Sequence, residues 1–189
     1  MKKRNAILHG VGALASALVY AFFALPFYVI KITPAAASDA AAAMGIPVGA
    51  TNGYKFLDMA LKQSDGTALA TFSTIMALLT LIIAGIVLVA SIFALLNDFH
   101  VIKNQKVGQI ADWIVFGVTI LFALSCILNL IGNACFVAKD LTDSFASLKL
   151  MLQPMGGTLK LTAGWALTII TTVLSLGAVA TSSVAKFKK

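Results

Sequence analysis

Between Leu69 and Leu96 the chain runs for 28 residues without a charged side chain. About 20 apolar residues in a helix, rising 1.5 Å each, cross the ~30 Å hydrocarbon core of a bilayer. An uninterrupted run of this length suits lipid as its solvent. The Ser and Thr residues inside it are no obstacle, because their hydroxyls bond back to the carbonyl one turn earlier.

Three further stretches have the same character. The expected spans are 6–32, 68–96, 113–138 and 161–185, all within a single membrane domain covering 1–189. Apolar residues make up 60% of the chain and charged ones 11%, against ~25% in soluble domains. A soluble core of this size cannot hide that much apolar surface. The fold class that follows is an all-α integral membrane protein, a four-transmembrane-helix bundle. The first segment follows the basic start MKKR and precedes the small-residue run TPAAASDAAAAM, so it also has the outline of an export signal. A signal's apolar region is about 7–15 residues long. Here it is longer, broken only by Pro26, so retention as an anchor is expected over cleavage near Ala37. Lys31 and Tyr28 are expected at its far interface.

Positive charge sets the expected orientation. With the N-terminus cytoplasmic, Lys2, Lys3, Arg4, Lys103, Lys106, Lys186, Lys188 and Lys189 lie inside. Lys31, Lys55, Lys62, Lys139, Lys149 and Lys160 lie outside. The inside charges cluster at MKKR and KFKK, hard against the spans. Both termini are therefore expected in the cytoplasm and the protein in the cell membrane. The outer loops are 33–67 and 139–160, and the inner loop is 97–112.

Each outer loop carries an amphipathic pattern. In NGYKFLDMALK, Tyr54, Leu57 and Leu61 share a helical face, with Asn52 as cap and Ser64-Asp65-Gly66 as stop. In the second loop Leu141, Phe145, Leu148 and Leu152 do the same, with Asp140 or Thr142 as cap and Pro154 and Gly156-Gly157 as stop. Two short helices packed as a lid over the bundle are expected, preceded by a flexible Ala-rich stretch. The short inner loop favours an antiparallel hairpin of the second and third spans.

Few residues suggest chemistry. Cys126 and Cys135 are nine apart on one helix, about 13.5 Å of rise, beyond the roughly 7 Å that a disulfide bridges. Asp98 and His100 just past the second span, with Asp112 opening the third, could suggest a metal or proton site, but Asp98 and Asp112 read best as cap or interface residues. No metalloprotease, nucleophile-elbow or phosphate-loop motif occurs. No catalysis, cofactor or metal is expected. The basic residues sit at segment ends, which suits lipid headgroups and not nucleic acid.

Two polar stripes remain. Ser125, Asn129 and Asn133 recur at i, i+4, i+8 on the third span, and Thr168, Thr172 and Ser175 form a similar stripe on the fourth. Polar groups in hydrocarbon require partners, so both stripes should face other helices or water. In an antiparallel pair they can meet, as interhelical glue or as the lining of a small cavity. Small residues form two more rows: Ala13, Ala17 and Ala21 on the first span, and Ala70, Ala77, Ala84 and Ser91 on the second. Such rows let helix backbones approach closely. Trp113 and Trp165 stand near span ends, where aromatic belts form.

The layout, with both ends inside, a longer first outer loop and a tight inner turn, is similar in outline to claudin-like and other tetraspan proteins. Residues 33–67 hold neither the Trp nor the Cys pair of a claudin first loop, and the tetraspanin Cys-Cys-Gly is absent. The expected function is that of a structural or interaction subunit working through lateral helix packing. Its expected partners are the lipid bilayer and either a second copy or another membrane protein. The alternative is a channel-like or transport component with a polar cavity between the third and fourth spans.

Overall fold

The structure is a computed structural model that describes residues 2–43, 48–62, 68–99, 101, 105–136, 139, 142–155, 158–163 and 166–187. Its helices are α1 (Lys2–Ala24), α2 (Ala35–Ala43), α3 (Gly53–Lys62), α4 (Ala68–Asp98), α5 (Gln105–Phe136), α6 (Thr142–Leu152) and α7 (Ala166–Phe187). Three strands join them: β1 (Pro26–Thr33), β2 (Gly49–Asn52) and β3 (Thr158–Ala163). Among the described residues, four helices are long and apolar enough to cross a membrane, in the stretches Asn5–Ala24, Ala68–Asp98, Lys106–Phe136 and Thr168–Phe187.

These four pack in a ring: α1 on α4, α4 on α5, α5 on α7, and α7 back on α1. Neighbours run antiparallel. His9 meets Asp98 while Tyr20 meets Leu81. Ser73 meets Asn133 while Thr80 meets Ser125. Thr119 meets Ser182 while Thr172 meets Cys126. In each pair one index rises as the other falls. One end of the bundle carries the strands; the other carries the α4–α5 hairpin, the start of α1 and the end of α7.

The first span departs from its expected form. Helix stops at Ala24, and residues 26–33, of which 26–32 were expected to continue it, form β1. Pro26 lacks the N–H that helix would use and clashes with the preceding turn. The residues after it, Val29, Ile30, Ile32 and Thr33, are β-branched and favour a strand. β1 is central in a sheet of order β2-β1-β3, antiparallel to both neighbours. Val29 lies opposite both Ala50 and Thr162. Sheet pairing satisfies backbone groups at a place where the helix has ended. The outer region is thus mixed, with a sheet where helices alone were expected. β3 likewise takes residues 161–163 from the expected fourth span. Lys31 is exposed on β1.

Residues 35–43, expected to be a flexible stretch, form α2, with Ala37 and Ala41 buried. α3 starts where the pattern predicted, and the Lys55 amide donates to Asn52 Oδ1 at 2.8 Å. The Tyr54 hydroxyl donates to the Tyr20 carbonyl at 3.0 Å, and the Tyr20 hydroxyl donates to the Leu81 carbonyl at 2.7 Å. This chain of two bonds fastens α3 to α1 and α1 to α4. Burial, with a smaller effect from Tyr20, raises the Tyr54 phenol above its ordinary pKa. Gly85 makes room for Tyr20, because a Cβ there would stand 2.8 Å from the phenolic oxygen. α6 occupies 142–152. Several expected features lie outside the described residues: Trp165, His100, Asp140, Leu141, Lys188, Lys189 and the breaks at Ser64-Asp65-Gly66 and Gly156-Gly157. So do the side chains of Tyr28, Leu61, Thr142, Phe145, Leu148 and Leu152.

Candidate functional site

α5 turns its stripe inward because Ser125, Asn129 and Asn133 recur on one helical face. All three are buried, Asn129 to 1% and Asn133 to 2% exposure. Their partners come chiefly from α4 and from within α5. Ser73 on α4 donates to Asn133 Oδ1, and Asn133 Nδ2 donates to Asn129 Oδ1 at 3.0 Å. The Thr80 hydroxyl of α4 lies 2.8 Å from the Met76 carbonyl and 3.2 Å from that of Ser125. Ser125 bonds back to the Phe122 carbonyl at 2.8 Å. Gly132 keeps α4 close at this level, since a Cβ there would stand 3.2 Å from the Phe72 ring.

The α7 stripe is buried too. Thr172 lies 2.7 Å from the Thr168 carbonyl and 3.2 Å from that of Cys126, and Ser175 donates to the Thr172 carbonyl at 2.7 Å. Thr168, Thr172 and Ser175 thus sit in the interior, with Thr172 reaching the α5 backbone. Further along, Thr119 and Ser182 bond side chain to side chain at 2.8 Å. The two stripes occupy one interior, but Asn133 takes its partner from α4.

An apolar plug fills the middle of the bundle. Val19, Ala84, Val87 and Phe122 are fully buried together with Cys126 at 1% exposure. Tyr20, Phe23 and Val118 pack against it. Cys126 is a small buried thiol beside Ser125 and Ser175, and Cys135 is exposed. Both are free.

The small-residue rows divide. Ala77, Ala84 and Ser91 are buried and Ala70 is half-buried, so the α4 row closes the bundle. On α1, Ala13 is buried, whereas Ala17 and Ala21 are exposed. The reason is geometric: steps of four residues drift around a helix of 3.6 residues per turn. Ser91 Oγ, among the described residues, is a buried side-chain atom without a hydrogen-bond partner. It lies across from Gly12, where a Cβ would stand 3.3 Å away.

At the hairpin end the structure assembles a cluster that sequence spacing did not reveal. His9 of α1, 2% exposed, places Nδ1 2.8 Å from Asp98 Oδ2 of α4 and Nε2 3.6 Å from Asp112 Oδ1 of α5. Neutral imidazole has one N–H and serves one carboxylate, whereas imidazolium has two and faces both. The signal available beforehand was an ionisable residue inside an apolar span. Its partner stood 89 residues away, which hid it. Asp112 was expected at the start of the third span, but α5 begins at Gln105, so Asp112 lies two turns inside the helix.

Lys186 closes the same end from α7. Its Nζ lies 3.1 Å from the Trp113 ring centroid and 3.8 Å from that of Phe116. Expected among the inside charges clustered against the span, it is buried against aromatic faces. No group of three or more His, Cys, Asp or Glu side chains suited to a metal occurs among the described residues. Chemically, the arrangement joins helices: neutral hydroxyl and amide bonds from the sheet end down to Thr119–Ser182, and histidine–carboxylate and cation–π contacts at the hairpin end. No family model matches the chain, and no curated protein or solved structure matches it.

Proposed function

We propose that this protein is a non-catalytic subunit of the cell membrane, with both termini cytoplasmic, that associates laterally with a second copy or with another membrane protein. The observation that carries the reading is how the polar interior is used. Its hydroxyls and amides bond across helices and back to carbonyls, and Val19, Val87 and Phe122 pack as an apolar plug within the same interior. Such an interior makes a fixed body, which leaves the outer face to carry the function. That face is apolar, and it includes Ala17 and Ala21 on α1. Gly177 on α7 is also exposed, with open space where a Cβ would point. Small residues at a lipid-facing surface permit close helix approach.

The mass of the protein purified in mild detergent tests this. A dimer or larger complex is expected, reduced by Ala17→Ile with Ala21→Ile and by Gly177→Leu. A monomer that brings no membrane protein with it from native membrane contradicts the reading.

One observation favours the channel-like alternative: Ser73, Thr80, Asn129, Asn133 and Thr172 gather in a single interior. Solute flux through reconstituted protein, compared with Asn129→Leu and Asn133→Leu, tests it. Unchanged flux removes the stripe from any conducting role.

A further inference from the structure

On the lipid-facing side of the bundle, along the hairpin-end half, α4 and α5 leave a groove of about 600 Å³ between them. Volumes of roughly 300–1,000 Å³ are typical of sites for small ligands. Its lining is apolar side chains. The cause is visible in the sequence. Ala90, Ala94 and Ala111 pack together with Val115 and let the helices approach closely. Phe93, Ile110 and Ile114 then stand out as rims, each about half exposed. The groove reaches Val107 in the first turn of α5, so one end opens at the end of the bundle.

That end is basic. Lys106, Ile110 and Ile114 recur at i, i+4, i+8, so the exposed Lys106 continues the rim one turn beyond Ile110. Beside it are the first amides of α5, which have no carbonyl within their own helix and favour negative charge. An apolar trough along half of a membrane-spanning helix pair, ending at a cation, has the chemistry of one acyl chain below one anionic headgroup. We infer that the α4–α5 groove holds an acyl chain of an anionic phospholipid whose phosphate is met by Lys106 at the start of α5. The net charge of the chain, +7, agrees with an anionic partner. The inference is independent of lateral association.

The test uses the full chain with Trp165→Phe, which leaves Trp113 as the single tryptophan. Trp113 is exposed and three residues beyond Ile110 on α5. The protein is reconstituted in phosphatidylcholine vesicles holding a small fraction of either phosphatidylglycerol or phosphatidylcholine with brominated chains, which quench tryptophan. Stronger quenching by the brominated phosphatidylglycerol is expected, corresponding to an enrichment of about fivefold, the equivalent of ~1 kcal/mol for one Lys at the surface. Lys106→Gln should abolish the difference between the two lipids. Ala90→Phe, which fills the groove, should lower quenching by both. Equal quenching by the two lipids in the unsubstituted chain overturns the inference. So does a preference for phosphatidylglycerol that survives Lys106→Gln. Lys106→Gln changes an exposed side chain, so the test stands even if Ala90→Phe does not fold.

Discussion

The two ends of the bundle hold their helices by different means. Toward the sheet, Ser73, Asn129 and Asn133 join α4 to α5 with neutral groups. At the hairpin end, His9 of α1 lies between Asp98 of α4 and Asp112 of α5, and Lys186 of α7 rests on Trp113 and Phe116. The difference is one of chemistry and not of depth. Asn129 lies two turns from the end of α5 and Asp112 two turns from its start. Asp98 is the last residue of α4. Between the two ends, the apolar cluster around Phe122 and the Thr119–Ser182 bond hold the helices. The lesson is that one bundle can tie its helices with neutral amides and hydroxyls at one end and with titratable and cationic side chains at the other.

Breaking the His9 cluster should have the largest effect. Asp98→Leu leaves His9 buried without its closest partner, and removal of one member of a buried pair costs about 3–5 kcal/mol. Unfolding in mixed micelles with rising detergent denaturant should show the loss. His9→Phe combined with Asp98→Leu should cost less than Asp98→Leu alone, because no stranded group remains. A double variant that is the weaker of the two would mean the cluster is more than a paired contact.

At the sheet end, Asn133→Leu removes the partner of both Ser73 and Asn129. Hydrogen bonds between membrane helices are worth about 0.6–2 kcal/mol, so the same titration should move by that smaller amount. If it matches Asp98→Leu, the two ends do not differ in how strongly they hold the helices. Smallest of all should be Tyr54→Phe, which removes one bond to the Tyr20 carbonyl at a surface 40% exposed. Its cost is expected at about 0.5 kcal/mol. The Phe23 ring, 5.9 Å from that of Tyr54, would still hold the aromatic contact.

Much of this architecture could be read from the chain, since lipid demands long uncharged helices and few other patterns satisfy it. Asn129 and Asn133 were recognisable as interior because their spacing and polarity left them no other place. Three features escaped. The β1 strand was masked because residues 26–33 are as apolar as a span, and hydropathy does not separate a strand from a helix end; Pro26 with Val29, Ile30 and Ile32 held the clue. The turning outward of Ala17 and Ala21 depended on where α1 meets its neighbours, which a row of alanines does not encode. His9 with Asp98 and Asp112 is a tertiary contact, and local spacing carries no trace of it.

The central claim is that the interior is closed, with polar groups tying helices and the plug around Phe122 excluding water. Cys126 sits in that plug at 1% exposure. With Cys135→Ala it becomes the single thiol, and its reaction with a charged, water-soluble thiol reagent in native vesicles tests the claim directly. The account predicts no labelling until the bundle is unfolded in strong detergent, then complete labelling. Rapid labelling of Cys126 in the folded protein would reveal a water-filled path through the bundle and contradict it.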